Sequence, residues 1–147
     1  MGDGAMSQQP YIASKTTDGG ASWTPVLHEA YFPPPPGVSG FRDEIDAYAG
    51  PLAMPSTSAV VFAGSSPAAQ EMSITRSDDG GLTFDHSKLG APGNPLLAYP
   101  LAFSFSDPFH GWLLVGNRQS KAHIWRTTDR GVTWHRIPLV SDRQDAA

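Results

Sequence analysis

The sequence predicts an all-β fold, a partial β-propeller built of four-stranded antiparallel blades. Three observations lead there. A nine-residue pattern recurs three times without gaps, its copies are spaced like blades, and turn formers are scattered along the whole chain. The copies are K-T-T-D-G-G-A-S-W at 15–23, R-S-D-D-G-G-L-T-F at 76–84 and R-T-T-D-R-G-V-T-W at 126–134. Asp18, Asp79 and Asp129 occupy equivalent columns, 61 and 50 residues apart, and a propeller blade takes about 40–50 residues. Gly and Pro make up 15 and 14 of the 147 residues with no fixed period, which indicates many turns rather than collagen or long helices.

Each copy reads as a tight hairpin turn. The Asp carboxylate (Asp18, Asp79, Asp129) accepts hydrogen bonds from amides just ahead of it. Gly20, Gly81 and Gly131 supply a positive φ. The hydroxyls of Ser22, Thr83 and Thr133 pair with the same loop, and Thr16, Ser77 and Thr127 fill the Ser/Thr column that opens the pattern. The aromatic that follows, Trp23, Phe84 or Trp134, is expected to begin the next strand and insert into the core. The basic column of Lys15, Arg76 and Arg126 is expected at the surface with packed stems.

The elements follow in chain order. Residues 10–28 read as half a blade, with strands at 11–15 and 22–27 around the first turn. Residues 29–50 read as an insertion between blades: a Pro33 to Pro36 run in polyproline II, then F-R-D-E-I-D-A-Y, which suits one helical turn with Arg42, Asp43, Glu44 and Asp46 outside. Residues 51–89 read as a full blade with strands at 52–54, 59–63, 72–76 and 82–86, G-S-S-P closing the second strand. Residues 95–140 read as another. Its strands are 101–105, the compact apolar run G-W-L-L-V-G at 111–116, 123–126 and 132–139, with S-D-P-F-H as the first turn. Trp112 and Trp125 sit in apolar strands and are expected in the core.

The repeated pattern S/T-x-D-x-G-x-S/T-W resembles the Asp-box, or bacterial neuraminidase repeat. Phe84 replaces Trp in the second copy, and Arg130 replaces Gly in the third. G-W-L-L-V-G followed by I-W-R-T-T-D-R-G-V-T-W looks most like the photosystem II assembly and stability factor family and its bacterial relatives. That resemblance implies a protein-binding propeller without catalysis, placed outside the cytoplasm or secreted. Sialidases, xyloglucanases and sortilin-type receptors also carry Asp-boxes, and the resemblance implies that the box is a fold element away from the active face.

Composition narrows the function. A net charge of −4 with no basic block argues against a nucleic-acid surface. The absence of Cys excludes disulfides, thiolate metal sites and a cysteine nucleophile. No apolar stretch reaches the ~20 residues of a membrane span, and the first ten residues show no signal-peptide pattern.

Catalytic sets are thin. A glycosidase needs two flanking carboxylates; outside the repeats the candidates are Asp43, Glu44, Asp46, Glu71 and Asp107. Arg42 and Arg118 are too few for a sialic-acid arginine cluster. Gly40, Phe41 and Arg42 faintly resemble the sialidase F-R-I-P motif, with Asp43 and Glu44 in place of Ile-Pro. His28, His86, His110, His123 and His135 form no helical metal pair, and no phosphate-binding Gly loop follows a strand. No catalytic residue, metal or cofactor is called for.

The expected function is therefore a non-catalytic propeller scaffold for protein binding or assembly, with a glycan as a further possible ligand. It would act through loops opposite the boxes, among them 104–110 and 29–50. The alternative is part of an Asp-box glycoside hydrolase, sialidase-like or xyloglucanase-like. About two and a half blades fall short of the 4–8 of a closed ring. The reading is thus a fragment of a longer propeller or a protomer of an oligomeric one.

Overall fold

The computed structural model describes residues 12–29, 41–43, 48–66, 71–89, 99–116 and 122–138. These form three β-sheets and no helix. Sheet 1 holds β1 (Ile12–Lys15), β2 (Thr24–Glu29) and β3 (Phe41–Asp43), in that order. Sheet 2 is a four-stranded meander of β4 (Tyr48–Ala53), β5 (Val60–Ser66), β6 (Glu71–Ser77) and β7 (Asp85–Leu89). Sheet 3 repeats it with β8 (Tyr99–Phe105), β9 (Gly111–Gly116), β10 (Ala122–Thr127) and β11 (His135–Ile137). All pairings are antiparallel except β2 with β3.

Sheets 2 and 3 match position for position. Val61 pairs with Arg76 and Trp112 with Arg126, so the basic residue before each repeat turn faces the second residue of the sheet's second strand. The first strands share an irregularity at the same offset, between Ala49 and Leu52 in β4 and between Pro100 and Ala102 in β8. Leu52 and Met54 of sheet 2 therefore stand where Phe103 and Phe105 stand in sheet 3. The first strands also pack against one another, β4 on β8.

Period-two alternation decides where each side chain goes. Along β5, Val61 and Ala63 face sheet 3 and join Met72, Ile74, Leu89, Leu113, Val115, Trp125 and Trp134 in the larger core. Phe62 points the other way and joins Leu27 and Phe84 between sheets 1 and 2, with Ala13, Val26 and Val60 beside them. Sheet 2 is covered on both faces, so β5 reads as a continuous apolar run. Among the described residues sheet 3 is covered on one: Leu113 is fully buried, whereas its neighbour Leu114 keeps 36% of its surface.

Several expectations need correction. Residues 41–43 are a strand, not part of a helical turn. They pair in parallel with Leu27 to Glu29; residues 30–40, between the two strands in sequence, lie with the Pro run outside the described residues. The strands after the repeat turns start one residue beyond the aromatic: β2, β7 and β11 begin at Thr24, Asp85 and His135. The turn aspartates hold the amides of Ser22, Thr83 and Thr133, the residues just before the aromatics, out of the ladder. The strand at β5 runs on to Ser66, through Gly64 to Ser66 of the expected turn. Trp125 is buried and Trp112 half-buried.

Candidate functional site

In an antiparallel meander the first and third connections lie at the same end of the sheet. The turns 54–59 and 106–110 therefore sit beside the repeat turns, and backbone bonds join them. Gly80 N–H donates to the Ser58 carbonyl at 2.7 Å, and Arg130 N–H donates to the Phe109 carbonyl at 3.1 Å. These are equivalent residues in the two sheets. The loop 104–110, expected opposite the repeat turns, is thus on the same side as they are. The second and fourth connections, at the other end, lie outside the described residues.

The three repeat turns share one hydrogen-bond scheme. In the first, the Thr16 hydroxyl accepts from Gly20 N–H at 2.8 Å and donates to Asp18 Oδ1 at 2.8 Å. Asp18 Oδ1 also accepts Ser22 N–H at 2.9 Å, and Oδ2 accepts the Ser22 hydroxyl at 2.5 Å. In the second, Ser77 takes the part of Thr16, accepting from Gly81 N–H at 2.8 Å. Asp79 accepts from Leu82 N–H, Thr83 N–H and the Thr83 hydroxyl. In the third, Thr127 accepts from Gly131 N–H at 2.9 Å, and Asp129 accepts from the Thr133 amide and hydroxyl at 2.9 and 2.5 Å.

These donors hold the carboxylates ionised. The Ser22 hydroxyl and amide, with Thr16, set Asp18 well below the usual carboxylate range. The Thr83 hydroxyl and amide do the same for Asp79. At Asp129 burial pulls upward, but the Thr133 hydroxyl and amide outweigh it and the net shift is downward.

Two consecutive residues in each turn take a left-handed conformation: Gly19 and Gly20, Gly80 and Gly81, Arg130 and Gly131. Among the described residues Arg130, with φ 65°, is the only one that is not glycine. Its guanidinium lies 4.5 Å from the Phe109 ring centre, a contact that offsets part of the backbone cost.

The three aromatics share a position but not an environment. The indole N–H of Trp134 donates to the Gly131 carbonyl and that of Trp23 to the Gly20 carbonyl, both at 3.1 Å. Trp134 is 8% exposed, packed against Phe103 in a tilted contact and Phe105 edge-on at ring separations of 5.7 and 6.2 Å, and Phe84 is likewise buried. Trp23 is 60% exposed and does not enter the core as expected.

A groove of about 380 Å³ opens between sheets 1 and 2. Trp23, Val26, Leu52, Met54, Val60 and Phe84 form its apolar walls. Lys15 lies at its margin and donates to the Gly80 carbonyl at 2.9 Å, bridging the two sheets. Arg76 instead spans Asp78 and Asp85, at 3.1 and 2.8 Å.

The remaining candidates whose side chains are described make local contacts. Asp107 is the acceptor of its own turn, taking Phe109 N–H at 2.8 Å and His110 N–H at 2.9 Å, with the His110 ring beside it. The Phe109 amide leads in lowering its titration. Asp43 and Arg42 lie on β3 and Glu71 at the start of β6; Gly40, Glu44, Asp46 and Arg118 are outside the described residues. His86 Nδ1 meets the Thr75 hydroxyl at 2.9 Å, and His123 meets Arg136 at 2.8 Å. Among the described residues no three His, Asp or Glu side chains gather as a metal site would require, and no helix is long and apolar enough to cross a membrane.

One repeated device escaped the sequence reading. Ser56 accepts from Ser58 and Ala59 amides as Asp107 does from Phe109 and His110. Both stand four residues before their strand, but Ser and Asp differ enough to hide the match by inspection. No protein-family model and no curated protein matches the chain.

Proposed function

We propose that this chain is a scaffold of β-propeller type, built of Asp-box blades, that binds a protein partner and performs no chemistry of its own. The observation that carries the reading is how the carboxylates at the box end are used. Asp18, Asp79, Asp107 and Asp129 each accept amides of their own turns and are held ionised. A general acid needs the opposite, a carboxyl raised toward neutrality. What the same end does offer is exposed apolar surface at Trp23, Leu52 and Met54, the usual material of a protein contact.

The propeller reading draws support from the two matched meanders, from the box at the third connection of each, and from the first strands packing together. On this reading sheets 2 and 3 are whole blades and sheet 1 belongs to another. The alternative, part of an Asp-box glycoside hydrolase, is tested by a panel of aryl glycosides. The scaffold predicts no turnover; turnover abolished by Asp43→Asn or Glu44→Gln would refute it.

A further inference from the structure

We propose that the Asp18–Gly19 peptide is a modification site, the one among the three repeat turns at which aspartate rearranges to isoaspartate. The inference stands independently of the scaffold reading.

The reaction is internal to the chain. The Gly19 nitrogen, having lost its proton, attacks Asp18 Cγ. The N–Cγ bond forms, a carboxyl oxygen leaves as water, and a five-membered succinimide closes. Water then adds at the Asp18 backbone carbonyl carbon and breaks its bond to the Gly19 nitrogen. The chain now runs through Cβ and Cγ, and a free α-carboxylate replaces the side-chain one. One water is lost and one gained, so no oxidant or cofactor is consumed.

Three conditions govern the rate, and the turns differ in each. The first is the residue after the aspartate. Gly19 and Gly80 follow Asp18 and Asp79, whereas Arg130 follows Asp129. A residue without Cβ gives the nitrogen its easiest approach.

The second is the attacking nitrogen. Gly80 N–H donates to the Ser58 carbonyl at 2.7 Å and Arg130 N–H to the Phe109 carbonyl at 3.1 Å. Each nitrogen is tied to the neighbouring turn, and that bond has to break before attack. Among the described residues no carbonyl takes the Gly19 N–H in this way. A Cβ built on Gly19 would meet nothing within 4 Å.

The third is opening of the turn. Asp18 Cγ reaches the nitrogen only after its oxygens leave the Thr16 hydroxyl and the Ser22 amide and hydroxyl. Local opening is easiest where least is packed on a segment. Residues 17–24 are all exposed, whereas Ser77, Phe84, Thr127, Gly131 and Trp134 of the other turns are buried. Asp18 is the site that all three conditions favour.

The product does not rebuild the turn. An added backbone carbon lengthens the loop and moves the carboxylate away from Ser22 and Thr16. The β1–β2 hairpin loses its clasp, and sheets 2 and 3 keep theirs.

The test ages the full chain at neutral pH and body temperature. Tryptic peptides 16–42, 77–88 and 127–130 separate the three sites, and the other Asp-Gly pair, Asp3–Gly4, falls in peptide 1–15. Electron-transfer fragmentation distinguishes isoaspartate from aspartate in each. Isoaspartate should form roughly tenfold faster at Asp18 than at Asp79, and slowest at Asp129. In urea the rates at Asp18 and Asp79 should converge, since both precede glycine. Gly19→Arg, which copies the third turn at an exposed position, should slow the reaction at Asp18. Ser22→Ala, which removes one donor, should speed it there and leave Asp79 unchanged. Equal rates at Asp18 and Asp79 in the folded chain overturn the proposal. So does a difference that persists in urea, because the fold would then not be its cause.

Discussion

The turn aspartates act as structural acceptors; Asp18 and Asp79 are exposed and Asp129 half-buried, while Ser77 and Thr127, unlike Thr16, are buried. Asp18 stands in the most exposed turn; Asp129 stands over a buried Thr127. Removing the acceptor leaves amides and hydroxyls to find water, which is harder where the turn is covered. Asp129→Ala should destabilise by about 1–2 kcal/mol, with Asp79→Ala and then Asp18→Ala lowering Tm progressively less; thermal melts that ranked them otherwise would contradict this. The pH dependence has a definite sign. The folded carboxylates titrate below their ordinary value of 3.8, so their contribution is complete above that value. It is lost as pH falls from there through the lower folded values. A triple Asn variant should be less stable than the parent at pH 7 and converge with it in acid, as denaturant titrations would show. Arg130 makes a separate case. Arg130→Gly removes both the left-handed cost and the Phe109 contact and should be near neutral. Arg130→Ala keeps the cost without the contact and should be less stable than the Gly variant by about 1 kcal/mol.

Among the elements, alternation and packing decide tolerance. Leu113 and Leu114 are chemically identical neighbours on β9, but only Leu113 lies in the core. Leu113→Ala should cost about 2–5 kcal/mol and Leu114→Ala under about 1, measured by denaturant unfolding. Gly111 shows how tightly β8 and β9 are joined. A Cβ placed there would strike the Phe105 ring, so Gly111→Ala should destabilise by about 1–3 kcal/mol by pushing Phe105 from Trp134. Most strands were legible because β5 and β9 are short apolar runs bounded by turn residues. The strand at β3 was not, because F-R-D carries no alternation and acquires its strand form by pairing with a distant partner. The start of each strand after a repeat turn was misplaced because the turn aspartate holds the amide of Ser22, Thr83 or Thr133, which therefore stays out of the ladder.

In the molecule as a whole, the middle sheet is the best protected. Among the described residues sheet 2 has an apolar core on each face, whereas sheets 1 and 3 have one each. Native-state amide exchange should therefore be slowest in β5 and β6 and fastest in β1, β3 and β11. The candidate site also belongs to this scale. Trp23 and Trp134 cannot be told apart within their nonapeptides; one is covered by β8 and the other faces a groove. The side of the sheet on which 106–110 lies was likewise invisible in the motif, since it follows from counting antiparallel strands and not from local sequence.

The sequence by itself determined the all-β character, the three repeat turns and the order of strands in sheets 2 and 3, because turn chemistry and period-two alternation are local properties. Only the tertiary structure decided which aromatics are buried, that β3 joins sheet 1 in parallel, and that Trp23 faces an apolar groove. These depend on which strands lie side by side, and residues with the same local sequence meet different neighbours there.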